Sequence, residues 1–462
     1  MTWVVAALLA VAVKQTLAQA GSDWIAAYGR QVGELAAQHP ELPVFDGSSQ
    51  RGQRREFPCE PLAPSERRAE SVHELTPGDI AAVGALGDSV TAGFGARASS
   101  LIDLTVEARG ASWSIGGDDD VSTLPNFFKV YNADLAGFST GNGNEGLGYG
   151  DASISGAVSP DMLSQAETLV SNMESAMGAE AFANEWKLIT IWIGGNDICS
   201  RGTSQEEYVE GVKAALDFLQ ARMRRVFVNL VTIVDVGKLY DITGNDLGCL
   251  VVRPNVCSRG ADRERSAMEA AAYQRGISEL AGLEKYDTTD FTVVEQPWYT
   301  NFEVINNVDR SYLAPDCFHY TVRAMEFAAL ATWNNLFQPV GEKQLSYLVG
   351  EPTVCPTDEF PYLYTNRNSR RQQEDENGAM TMPSPGPAPT PMPSAEGSTA
   401  VLLAGLGVLV AGVGVHHVVT RRLRVTHGKE EYGLPTARSF WSERRYQRVA
   451  AEEAAAARND GI

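Results

Sequence analysis

Two runs of residues constrain the fold most: Lys187–Ile193 (KLITIWI) and Val226–Val234 (VFVNLVTIV). Both are rich in β-branched residues and apolar along nearly their whole length. A strand of this kind needs cover on both faces, as in a parallel sheet sandwiched between helices. Ile80–Gly87 is a third run of buried-strand type, and Phe291–Glu295 a shorter fourth. Between them, Asp161–Met177, Glu206–Met223, Arg263–Leu283 and Val322–Phe337 repeat apolar residues at helical spacing. Strands alternating with helices predict βαβ units. The expected fold is a three-layer α/β/α domain with a mainly parallel sheet, over residues 75–368.

The two ends of the chain predict its compartment. Trp3–Val13 is an apolar run of 11 residues, too short to span a bilayer and suited to a signal-peptide core. Ala18-Gln19-Ala20 follows, so residues 1–20 read as a signal peptide and 21–74 as a peripheral lead-in. Ala400–Val419 is a 20-residue stretch without a formal charge, about 30 Å long as a helix. Arg421, Arg422 and Arg424 come next, a stop-transfer cluster. The expectation is a single-pass type I protein of the cell membrane, with its catalytic domain extracellular. Its parts are a Pro-rich disordered stalk at 369–398, a transmembrane helix at 399–419 and a cytoplasmic tail at 420–462, whose partners stay unknown. The net charge of −20 argues against nucleic acid as a partner, because phosphate binding needs a cationic surface.

All six cysteines, Cys59, Cys199, Cys249, Cys257, Cys317 and Cys355, fall in the external part. An even number in an oxidising compartment predicts three disulfides, and 15 pairings are open. The expected set is Cys317–Cys355, Cys249–Cys257 and Cys59–Cys199.

The chemistry gathers at strand ends. Ile80–Gly87 runs into Gly87-Asp88-Ser89, and active groups of open α/β sheets lie beyond the carboxyl ends of strands. A serine nucleophile needs a base. The external region holds only His39, His73 and His319. His39 lies in the lead-in and His73 precedes the first strand. His319 closes Asp316-Cys317-Phe318-His319, where Asp316 can orient one ring nitrogen and leave the other for Ser89. Gly194-Gly195-Asn196-Asp197 follows another strand and offers the Asn196 amide to an oxyanion. Gly156, before the helix near Pro160, offers a backbone N–H. Each block alone also reads blandly, as a turn, a cap or a surface pair.

Taken in order, G-D-S, a lone Gly, G-G-N-D and D-x-x-H resemble the SGNH (GDSL) hydrolases. Further stretches are similar to the membrane-associated phospholipase B family. They are Ser112-Trp113-Ser114-Ile115-Gly116-Gly117-Asp118, Gly137-Phe138-Ser139-Thr140, Leu336–Gly341 and Pro361-Tyr362-Leu363-Tyr364-Thr365. The resemblance runs from about 72 to 370. Val90 stands where the family usually has Leu, and Tyr320-Thr321 where Ser is frequent after the His. The resemblance implies a serine esterase acting on phospholipid and lysophospholipid substrates. Ser89, Asp316 and His319 would be catalytic, and Ser89, Gly156 and Asn196 would form the oxyanion hole. No cofactor and no metal are expected, since Asp118-Asp119-Asp120 reads as a solvated loop without calcium-ligand spacing. The alternatives are a carboxylesterase or sugar-ester deacetylase of the same fold, or a catalytically silent cell-surface binding module.

Overall fold

The computed structural model describes residues 30–40, 56–61 and 68–372, apart from 102, 245 and 302–308. The signal peptide, transmembrane helix, tail and nearly all of the stalk expected above lie outside the described residues.

Four strands form a parallel sheet in the order β1 (Ile80–Gly87), β2 (Trp186–Trp192), β3 (Val226–Val231) and β4 (Phe291–Gln296). One row of the register runs Gly84, Ile189, Val228, Val293. Every residue of β2 and β3 is buried, which is why neither alternates in polarity. The free edge of β1 is taken by an irregular segment that the sequence reading did not anticipate. Val83 N–H donates to Ala136 O at 2.9 Å, Ala85 N–H to Gly150 O at 2.8 Å and Ile154 N–H to Gly87 O at 3.1 Å. A Cβ on Gly150 would lie 2.0 Å from Val83 O, so only glycine permits this approach.

Among the described residues, four long helices supply the outer layers: α1 (Met162–Asn184), α2 (Gln205–Arg222), α3 (Arg263–Ala281) and α4 (Val322–Leu336). Gly178, at φ +76°, breaks α1 where the expected helix ends, and the chain resumes helical form after it. Ser204 caps α2 and Asp262 caps α3 through the backbone N–H groups of Glu207 and Arg265. The first three helices pack side by side, while α4 packs against a short helix at Leu124–Phe128. Trp333 of α4, fully buried, lies among the rings of Phe57, Phe127, Phe128, Tyr131 and Phe337.

The lower pole, at the amino ends of the strands, is closed by His73. Its Nδ1 lies 2.9 Å from Thr365 Oγ1 and its Nε2 2.9 Å from Thr288 O. Residues 366–372 are helical and dock at the same pole. There Asn368 donates to His73 O, and Arg370 pairs with Asp287 at 2.8 Å.

All three expected disulfides are corrected. The pairs are Cys59–Cys355, Cys199–Cys257 and Cys249–Cys317. Cys249 lies inside a helix spanning Leu247–Val256 and Cys257 caps its end, so about 12 Å of helical rise separates them. A disulfide tolerates no more than about 7 Å between Cα atoms. Phe57 packs on Trp333 and brings Cys59 to the segment after α4, which explains its bond to Cys355.

Candidate active site

Ser89 lies in the turn directly after β1, where Ala92 N–H donates to Asp88 O and Phe94 N–H to Ser89 O. His319 and Asp316 lie in the turn before α4. Cys317 adopts φ +63°, a left-handed conformation that lets the chain reverse between Asp316 and His319. Ala314 N–H donates to His319 O at 2.7 Å and closes this turn. The Cys249–Cys317 bond ties it to the helix at Leu247–Val256.

These turns bring together residues 230 positions apart. Ser89 Oγ lies 2.7 Å from His319 Nε2, and His319 Nδ1 lies 2.5 Å from Asp316 Oδ2. Asp316 Oδ1 accepts from the N–H groups of Phe318 and His319 at 3.1 and 3.0 Å. The partners assign the tautomer: Nδ1 donates to the carboxylate, and Nε2 accepts from the serine hydroxyl. Phe94 and Phe318 flank the imidazole, with centroids 4.6 and 5.1 Å away. Burial pushes the Asp316 carboxyl up, but the charge of His319 and the donors around it outweigh that and hold it below the usual carboxylate range. His73, the other histidine near the domain, belongs to the opposite pole.

Gly156 follows the backbone that Ile154 fastens to Gly87 O, beside the turn carrying Ser89. Its φ is +85°, and a Cβ there would meet nothing within 4 Å. Asn196 Nδ2 donates to Ala157 O at 2.9 Å. That uses one of two amide hydrogens and fixes the direction of the other. Asp197 accepts from Ser159 N–H and from Ser159 Oγ, the latter at 2.6 Å. Burial pushes its pKa up. Thus the G-G-N-D turn grips the loop carrying Gly156 with two consecutive side chains. The sequence reading gave Asp197 no role, although its place beside Asn196 was the available signal.

Asp88 is the other residue that motif reading left aside. Its Oδ1 accepts from Val90 N–H at 3.0 Å, and burial pushes its pKa up to about 6. With Gly195 it lines a cavity of only about 10 Å³ bounded by Val90, Trp192, Ile233, Leu239 and Phe318; Val90 and Phe318 adjoin Ser89 and His319 in sequence. The acidic triplet is not a freely solvated loop: Arg97 pairs with both Asp118 and Asp120, and Asp118 accepts from Gly141 N–H.

A strand-end serine joined to an imidazole and a carboxylate on a parallel α/β sheet defines a serine ester hydrolase. Residues 83–332 match the model of the family described as GDSL-like Lipase/Acylhydrolase, and the chain belongs to it. Among individual proteins it is 36% identical over 342 residues to "Phospholipase B1, membrane-associated" of Mus musculus, covering 68% of this chain and 23% of that one. The Homo sapiens protein of the same name is 37% identical over 338 residues, with the same coverage of each chain. The chain therefore spans 23% of the length of the curated relatives it matches. A solved GDSL-like lipase of Bacteroides thetaiotaomicron is 15% identical, with a TM-score of 0.30 over 54% of this chain and 85% of that chain.

Proposed function

We propose that this chain is a phospholipase B-like serine esterase that releases acyl chains from phospholipids and lysophospholipids through an acyl-enzyme. The continuous hydrogen-bonded path from Ser89 through His319 to Asp316 carries this reading. Ser89 Oγ attacks the acyl carbonyl while His319 Nε2 takes its proton. Asp316 keeps the imidazole oriented and stabilises its charged form. The N–H groups of Ser89 and Gly156 and the Asn196 amide receive the developing oxyanion. His319 returns its proton to the departing alcohol, then activates water to release the fatty acid.

The substrate class is supported by the relatives' printed name. A type I membrane setting is supported by the apolar runs at Trp3–Val13 and Ala400–Val419, with basic residues directly after the second. The acidic net charge supports a zwitterionic rather than an anionic headgroup.

The test is fatty-acid release from phosphatidylcholine and its lyso form by the purified chain in EDTA, with a short acetyl ester alongside. Release of both acyl chains, with Ser89 labelled by a fluorophosphonate and Ser89→Ala inert, is expected. Activity confined to the acetyl ester would move the assignment to a carboxylesterase or deacetylase. Absence of labelling would leave a binding module.

A further inference from the structure

The loop from Asp151 to Ser159 must hold the Gly156 N–H at one distance from Ser89 for both to meet the same oxygen. Its downstream end is gripped by Asn196 and Asp197, as described. The upstream end is gripped by a group that belongs to none of the four sequence blocks. Arg109 is only 2% exposed, so its guanidinium needs partners on every side. It donates through Nη1 to Asp151 Oδ2 at 2.9 Å and to Ser153 Oγ at 3.0 Å, and through Nη2 to Ser153 O at 3.4 Å. On its other edge it meets Glu107 Oε2 at 2.7 and 3.1 Å. The second oxygen of Glu107 accepts from Ser155 Oγ at 2.5 Å. Residues 151, 153 and 155 are thereby held in succession, and Gly156 is next.

The backbone at Arg109 is fixed to the nucleophile turn as well. Ala108 N–H donates to Gly93 O at 3.0 Å, and Gly93 N–H donates to Val90 O at 3.1 Å. A Cβ on Gly93 would lie 2.3 Å from Ala108 O, so these two segments touch through backbone alone. Arg109 therefore bridges the turn that carries Ser89 and the loop that carries Gly156.

We propose that Arg109, with Glu107 and Asp151, is a positioning residue that sets the spacing between the Ser89 nucleophile and the Gly156 oxyanion donor. It touches no reacting atom. Its effect falls on the step in which charge develops on the carbonyl oxygen, because a donor displaced by about 1 Å loses much of its value there and little in ground-state binding. This inference rests on the esterase reading above.

The experiment measures kcat and KM of the purified chain on a soluble monomeric p-nitrophenyl ester, for wild type, Arg109→Met, Arg109→Lys and Glu107→Gln. Near-UV circular dichroism and the thermal transition report folding. The expected result for Arg109→Met is a kcat lower by about 10- to 100-fold with KM within about threefold, from one misplaced donor. Arg109→Lys, which keeps the charge, should recover part of the loss. Glu107→Gln keeps the shape and loosens Ser155, so kcat should fall several-fold while the thermal transition barely moves. If Arg109→Met does not fold, Glu107→Gln decides. Folded variants with kcat within about twofold of wild type would overturn the proposal, as would losses confined to KM. Fluorophosphonate labelling of Ser89 in the wild type separates the two readings. Unlabelled wild type sinks the esterase reading itself, whereas labelled wild type with unaffected variants sinks only the role of Arg109.

Discussion

Asp88→Asn tests the electrostatics of the nucleophile turn. Burial raises the Asp88 carboxyl from 3.8 to about 6, against opposing contributions from Val90 N–H and His319, with Asp197 adding to the rise. A raised carboxyl favours the protonated form in the fold. The native state therefore binds more protons than the unfolded chain between pH 3.8 and about 6, and stability falls as pH rises through that window. The difference corresponds to about 3 kcal/mol at ~1.4 kcal/mol per pKa unit. Asparagine resembles the protonated acid and keeps an oxygen for Val90 N–H. Relative to wild type, Asp88→Asn should thus gain about 3 kcal/mol between pH 3.5 and pH 7.5. Urea unfolding with disulfides intact, at both pH values, gives the difference directly. Equal differences at the two pH values would show that Asp88 is ionised at no net cost and would refute the burial argument.

Asn196→Ala should lower kcat by roughly 10²–10³, the usual loss for one oxyanion donor, measured on a soluble ester. An unchanged rate would make Asn196 a tether for Ala157 only. His73 runs opposite to Asp88: burial first, against the pull of Asp287, lowers it from 6.5 to about 4. Its contribution is complete above pH 6.5 and lost toward pH 4, so His73→Gln should flatten the acid limb of the wild-type stability curve in urea titrations. Replacing Cys249 and Cys317 by Ala should cost about 4 kcal/mol of stability, from loop closure over 68 residues, read by the urea midpoint. It should lower kcat too by freeing the Asp316–His319 turn, and peptide mapping of the wild type should recover this pair.

The layered core was legible because its signals are local. β1 falls on the expected Ile80–Gly87, and the other three strands begin or end within a few residues of the apolar runs. The segment at the free edge of β1 was not legible. It pairs through scattered backbone bonds and glycines such as Gly150, so it has no period to detect. The disulfides failed for a related reason. Two of the three pairings depend on how residues 235–262 fold back against the turns at Cys199 and Cys317, and that insert holds short helices with Pro254 inside one of them. The meeting of Ser89, Asp316 and His319 was readable because few histidines compete and Asp316 and His319 are neighbours in sequence. Arg109 was not, since its partners at 107, 151 and 153 follow no spacing rule and meet only in the folded chain.

The docking of residues 366–372 beside His73 gives the domain a direction. Ser89 lies past the carboxyl ends of the strands, whereas residues 366–372 lie at their amino ends. A domain or tag joined after residue 372 would therefore begin at the end of the sheet away from Ser89 and His319.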